Sequence, residues 1–127
     1  MSKCATVGIL FFGISHLYAE VPVKDYRTAL SNPDSAAIVK SYVSGLGNGM
    51  VYANEFSQRN KQAQPLFCAP SKLTLTGDNF VNLLDAQIKL SEERNGKEPT
   101  MNVPIGLLLL EGLVDTFPCE KKRSGAQ

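Results

Sequence analysis

The sequence predicts an all-α domain, a small bundle of about four helices with one disulfide, preceded by a cleaved signal peptide. Three observations favour this fold class. Apolar residues recur at steps of three and four along most of residues 36–117, and residues that favour helix starts stand where each helix would begin. No segment alternates apolar and polar residues in the way that a half-buried strand requires.

The first 19 residues have the composition of a secretion signal. Lys3 supplies a positive charge, residues 5–14 are small and apolar, and Ala19 is the kind of small residue that signal peptidase prefers. The apolar run is about half of the ~20 residues that a membrane-spanning helix needs, which disfavours a retained anchor. We therefore expect cleavage after Ala19, with residues 20–127 as one helical domain.

A long amphipathic helix is predicted from the cap at Asn32 or Ser31 to Arg59, after a short helix over residues 23–30. Pro33 and Asp34 suit its first turn, where N–H groups are free and the dipole is positive. The predicted core-facing stripe consists of Ile38, Val39, Tyr42, Val43, Leu46, Met50, Ala53 and Phe56.

Three glycines interrupt the middle of this helix, and each costs up to ~1 kcal/mol of helix propensity relative to alanine. Gly45 and Gly49 lie four residues apart at the edge of the apolar stripe. We predict that another helix crosses there with its backbone close.

Two further helices are predicted in the second half of the chain. Thr76 should cap the first, whose buried stripe is Phe80, Val81, Leu84 and Ile88. Residues 91–100 (SEERNGKEPT) are predicted to form a charged loop, because glycine and proline interrupt them. Asn102 should cap the last helix, with Pro104 in its first turn, and its high apolar content predicts that it is the central element.

Cys68 and Cys119 are the only cysteines that remain once Cys4 leaves with the signal. In an exported domain, two such cysteines predict one disulfide. A free reactive pair is the alternative, but the two lack the C-x-x-C spacing of redox-active thiols.

Composition argues against several classes of function. Loss of Lys3 leaves twelve basic and twelve acidic residues, so nucleic acid and lipid surfaces are disfavoured as partners. The only histidine, His16, lies in the signal, which removes the usual general base and the commonest neutral zinc ligand. We predict a protein that is not an enzyme and has no metal or cofactor. Glu111 and Asp115 form the one candidate carboxylate pair, although the polar stripe of an apolar helix has the same spacing.

With these features in view, the chain resembles the Rap-type immunity proteins of bacterial type VI secretion, which are related in role and build to the Tai amidase-immunity proteins. The resemblance covers residues 33–119. It depends on an ordered series of short motifs: YVSGLGNG at 42–49, FCAP at 67–70 leading through Leu75 and Thr76 into a helix, and FPC at 117–119.

The resemblance implies a small helical protein, often a homodimer, in the periplasm of a Gram-negative bacterium. Such a protein binds a toxic effector injected by sister cells and occludes its catalytic cleft. For Rap and Tai proteins with known partners, the effector is a peptidoglycan amidase.

Two surfaces are candidates for contact with a partner. The first is the predicted charged loop, because an occluding loop must be polar and protrude, although an ordinary helix connection has the same composition. Its candidate residues are Glu92, Glu93, Arg94, Asn95, Lys97 and Glu98. The second is a dimer or partner surface formed by apolar residues among polar positions, namely Val51, Tyr52 and Leu108.

The alternative function is that of an acid-stress chaperone of the HdeA type, which is also small, helical, exported and held by one disulfide. In that group the first cysteine generally precedes the glycine-containing helix, whereas here Cys68 follows it. The order of motifs therefore favours the immunity protein.

Overall fold

The computed structural model describes residues 20–60 and 63–120, and the predicted signal peptide lies outside them. The described residues form five helices and no strands: α1 (Val23–Ser31), α2 (Pro33–Arg59), α3 (Gly77–Asn95), α4 (Lys97–Thr100) and α5 (Ile105–Thr116). The all-α prediction and the Cys68–Cys119 disulfide are confirmed. Within these residues, no helix is long and apolar enough to cross a bilayer.

Helix starts follow the predicted capping chemistry at two of the long helices. Asn32 accepts a hydrogen bond from the Asp34 N–H at α2, and Thr76 forms a reciprocal capping box with Asn79 at α3. The prediction for α5 is wrong by two residues, because Pro104 precedes the helix in an extended conformation. Backbone pairing explains this: the Ile105 N–H donates to the Val21 carbonyl at 2.9 Å and fixes the start of α5.

Helix α3 is the central element, so the prediction that the last helix is central is wrong. It packs against α2 and α5 along its length and against α4 at its end. Helix α1 joins it through Tyr26, whose ring is fully buried and whose hydroxyl donates to the Asp85 carboxylate at 2.8 Å. Burial, followed by this hydrogen bond and the charge of Asp85, raises the pKa of the Tyr26 hydroxyl.

Helices α2 and α3 approach closely at Gly47, not at Gly45 and Gly49 as predicted. The Phe80 ring lies directly against Gly47, while no side chain or backbone atom from elsewhere in the described residues lies within 4 Å of a Cβ built at either neighbouring glycine. Gly47 is buried on the same face as Val39 and Val43, the core-facing side of α2. Of the three glycines, only Gly47 is explained by packing within residues 20–60 and 63–120.

The core-facing assignments are correct for α3 and partly wrong for α2. All four residues predicted for the α3 stripe are buried. On α2, Ile38, Tyr42, Ala53 and Phe56 are exposed, because the other helices cover only one side of its wide apolar arc. On α5, the residues that face the core are Ile105, Leu108, Leu109, Gly112 and Leu113.

Candidate functional site

The predicted loop at residues 91–100 is wrong as secondary structure, because α3 continues through Asn95 and one further turn of helix, α4, follows. Gly96 joins the two helices with φ +89°, a conformation that glycine adopts without steric cost. We call residues 93–99 the α3–α4 tip. All seven are exposed, and four of them are charged: Glu93, Arg94, Lys97 and Glu98.

Buried hydroxyl groups hold the base of the tip. The Ser91 and Thr100 hydroxyl oxygens are 3.0 Å apart, and Thr100 also donates to the Gly96 carbonyl at 2.9 Å. Since that bond uses the Thr100 proton, Ser91 donates to Thr100 and accepts from the Asn95 amide at 3.4 Å. The two helices are therefore joined in one orientation by a chain of hydrogen bonds, with Thr100 fully buried.

An ion pair joins Glu92, the residue before the tip, to α1. The Arg27 guanidinium donates to both carboxylate oxygens of Glu92, at 2.6 and 3.0 Å. Such bidentate pairs fix geometry better than single contacts. The hydrogen bond with Glu92 raises the pKa of Arg27, and the same bond lowers the pKa of Glu92. Glu92 therefore has a structural partner within the chain, in contrast to the free surface position that the sequence predicted.

The lowered pKa of Glu92 predicts a specific acid sensitivity. The pair contributes stability above about pH 4.5, the ordinary pKa of a glutamate carboxyl, and this contribution is lost as pH falls through the lower folded-state pKa. A Glu92→Gln variant should melt below the wild type at pH 7, and the difference in Tm should shrink as the pH falls below about 4.5. Thermal melts of both proteins across this range test the prediction. A difference that stays constant down to pH 3 would contradict it.

The outer face of α2 is a second exposed surface. It consists of six residues on the side of the helix opposite the core: Ile38, Tyr42, Gly45, Gly49, Tyr52 and Phe56. The exposed fractions of its four large side chains are 70% for Ile38, 41% for Tyr42, 68% for Tyr52 and 61% for Phe56. This is a continuous apolar strip rather than the isolated apolar residue that is common on protein surfaces.

Of the three apolar residues predicted to form a dimer or partner surface, only one is exposed. Tyr52 is exposed as predicted, but Val51 is half-buried and packs against the core. Leu108 is buried. Its position was misassigned because α5 is apolar on nearly all sides, so that periodicity alone does not identify its inward face. Leu107, the residue before Leu108, is 49% exposed.

The segment between α2 and α3 is held by a buried amide and by the disulfide. Asn54 accepts from the Leu66 N–H and donates to the Phe67 carbonyl, both at 2.8 Å. The Phe67 ring is buried, and the Cys68 N–H donates to the Phe117 carbonyl at 2.7 Å beside the disulfide. This segment borders an apolar groove of about 320 Å³ lined by Leu73, Leu75, Asn79, Asn82, Leu83, Ala86 and Phe117.

The candidate carboxylate pair, Glu111 and Asp115, is exposed on α5, where Glu111 accepts a hydrogen bond from Gln87 at 3.4 Å. In residues 20–60 and 63–120, no three His, Cys, Asp or Glu side chains are grouped to hold a metal ion. Among the described residues, the Gln87 amide is the one side-chain hydrogen-bond partner of this pair.

Several contacts that shape these surfaces were not predicted from the sequence. Arg27 and Glu92 are 65 residues apart, and Asn54 bonds to a backbone segment 12 and 13 residues away. Ser91 and Thr100 are nine residues apart, and their polarity suggested a solvated loop. Helical spacing does indicate that Ser91 is buried. It continues the α3 stripe at i+3 from Ile88 and i+4 from Gln87, and both of these residues are buried.

No family model, curated protein or solved structure matches this chain.

Proposed function

We propose that this protein is a periplasmic immunity protein that binds a toxic effector and occludes its catalytic cleft with the α3–α4 tip. The observation that supports this most is the tip itself, which is exposed and charged on the outside and fixed by buried hydrogen bonds at its base. A binding element that is already ordered loses little conformational freedom when it binds.

The charges of the tip suit a polar cleft. Glu93 and Glu98 alternate with Arg94 and Lys97 on both sides of Gly96, so the surface presents donors and acceptors of both signs. Fixed charges of this kind give specificity and fast association, because they attract a complementary surface and repel others. Glu92 acts differently in this proposal: its pair with Arg27 positions the tip and does not itself contact the effector.

The resemblance to the Rap and Tai immunity proteins supports the same role and favours a peptidoglycan amidase as the effector. The disulfide fits an oxidising compartment such as the periplasm, since disulfides seldom persist in the cytosol. No catalysis by this chain is needed, because occlusion requires only binding.

A protection assay tests the proposal. The effector candidate is the product of the gene adjacent to this one, exported to the periplasm of a test strain together with the full-length protein. We expect the wild type to preserve viability and a Glu93→Ala/Arg94→Ala/Lys97→Ala/Glu98→Ala variant to lose protection. Matched alanine substitutions of Glu20, Lys40, Lys72 and Asp115, four exposed residues of the same charges, should keep it.

The exposed apolar residues on the outer face of α2 favour the chaperone alternative, because an exposed apolar surface can bind unfolded client proteins. The two functions predict different behaviour. A chaperone should suppress aggregation of many unrelated proteins near pH 2 to 3, whereas an immunity protein should bind one effector at neutral pH. Light scattering of acid-treated client proteins distinguishes them, and broad suppression would favour the chaperone.

A further inference from the structure

The apolar groove lies between residues 73–75, helix α3 and the end of α5. Five of its seven lining residues are apolar, and of these Leu83 and Phe117 are half-buried and pack against the core. The disulfide and the backbone hydrogen bond from Cys68 to Phe117 join the segment after α2 to the end of α5. The groove is therefore formed by the fold itself, and concave apolar surfaces of this kind are typical binding sites.

The groove and the α3–α4 tip lie along the same side of α3. Residues that are three or four positions apart on a helix are neighbours on one face. Steps of this kind lead from the groove to the tip through Asn79, Leu83, Ala86, Leu90 and Glu93. All of these residues are exposed except Leu83. One continuous surface of α3 therefore joins the groove to the tip, and the helix rises about 15 Å between Leu83 and Glu93.

The tip alone is too small and too polar to hold a partner tightly. A stable interface buries about 800 Å² on each partner and uses roughly 20–30 residues there. The tip has only the seven residues 93–99. Charges at the rim of an interface mainly set the association rate and the specificity, whereas a few apolar or aromatic anchors in desolvated pockets supply most of the affinity. Tight binding by the tip therefore requires an apolar contact next to it.

We propose that the apolar groove is the anchor site for the protein that the tip binds, and that it accepts a large apolar side chain of that partner, such as Leu, Met or Phe. The inference rests on the proposed function, because it takes the tip as one end of the same interface. The anchor on the partner must then lie about 15 Å from the partner's contact with the tip, the separation of Leu83 and Glu93 along α3.

Asparagine amides on the wall of the groove define the backbone that should carry this anchor. The Asn79 side-chain oxygen accepts hydrogen bonds from the Thr76 N–H and hydroxyl, at 2.8 and 2.9 Å, so its NH₂ group is the part that can donate to a partner. Asn82 is exposed one turn further along α3. Such donors favour a segment with free backbone carbonyl groups. We therefore expect the anchor on a loop or strand edge of the partner, because carbonyls inside a helix are already bonded.

Binding kinetics, measured by surface plasmon resonance with the product of the adjacent gene, separate the groove from the tip. Ala86 is exposed and lines the groove, so Ala86→Glu retains a good helix former and places a charge where the anchor should be buried. We expect this variant of the exported full-length protein to dissociate roughly tenfold faster or more, with little change in association rate. Ala86→Gln, which adds polar bulk without charge, should act in the same direction.

Ala53→Glu is the matched control, because it makes the same change at an exposed alanine of α2. It should associate and dissociate as the wild type does. Dissociation of both Ala86 variants as slow as that of the wild type would overturn the proposal and would leave the groove to a small apolar ligand or a second copy. If the tip variant has lost binding in the same experiment, the proposed function still stands. Absence of binding by the wild type would overturn both.

The heat capacity of binding tests the apolar anchor without any substitution in the groove. Burial of apolar surface on binding gives a negative heat-capacity change. Calorimetric titration of the wild type with the same partner should therefore give a binding enthalpy that becomes more favourable as the temperature rises, and the slope should be smaller for Ala86→Glu. An enthalpy that does not change with temperature would contradict the proposal.

Discussion

Removal of the disulfide by a Cys68→Ala/Cys119→Ala substitution is expected to lower the free energy of unfolding by about 4 kcal/mol. The two cysteines are 51 residues apart, and closing a loop of this length removes that much unfolded-state freedom in the chain-entropy model. The effect is comparable to much of the stability of a small domain, typically ~5–15 kcal/mol. Urea unfolding of the variant and the wild type, monitored by circular dichroism, measures it.

Other contacts near the disulfide should preserve the native fold when the bridge is removed. The enclosed loop contains α3, α4 and α5, and the bridge joins the segment after α2 to the end of α5. The Asn54 hydrogen bonds to Leu66 and Phe67 and the buried Phe67 ring remain in the variant, so the native fold should persist in the absence of urea. A change of less than ~1 kcal/mol would show that the unfolded state is already constrained without the bridge, contrary to the prediction.

The second large effect is expected from Gly47→Ala, which should lower the free energy of unfolding by about 1–2 kcal/mol. A methyl group there would overlap the Phe80 ring, which is itself fully buried. Overpacking of this kind typically costs 1–3 kcal/mol, and the better helix propensity of alanine offsets only part of it. Chemical denaturation of the variant checks the value.

Gly45→Ala and Gly49→Ala are matched controls in the same helix. Because neither added methyl group meets another atom of the described chain, both should raise stability by ~0.5–1 kcal/mol through helix propensity. The measurement belongs at low protein concentration, where association does not contribute. Equal effects of alanine at positions 45, 47 and 49 would contradict the packing of Phe80 against Gly47.

Helix positions were largely predictable because the local signals are strong. The cap at Asn32, the capping box at Thr76 and the end of α2 at Arg59 all lie where the sequence indicates. The continuation of α3 to Asn95 was missed, because Gly96 and Pro99 were interpreted as loop residues. In the structure, Gly96 instead joins two helices, and Pro99 lies within the single turn of α4.

Which side of each helix faces the core was less predictable than where each helix lies in the sequence. An apolar arc as wide as that of α2 is compatible with more than one buried side, and only tertiary contacts select Val39, Val43 and Gly47 over Ile38 and Phe56. The same limit applies to Leu108 in α5, which is apolar on nearly all sides. Long-range polar contacts were not predictable at all, because the Arg27–Glu92 pair depends on how α1 lies against α3.

The central proposal is that the α3–α4 tip is the effector-binding surface, and calorimetric titration tests it most directly. The product of the adjacent gene is titrated with the wild type and with the variant in which Glu93, Arg94, Lys97 and Glu98 are alanine. We expect tight, stoichiometric binding by the wild type and a loss of at least 100-fold in affinity for the variant, with an unchanged circular dichroism spectrum. Binding of equal strength by both proteins would contradict it.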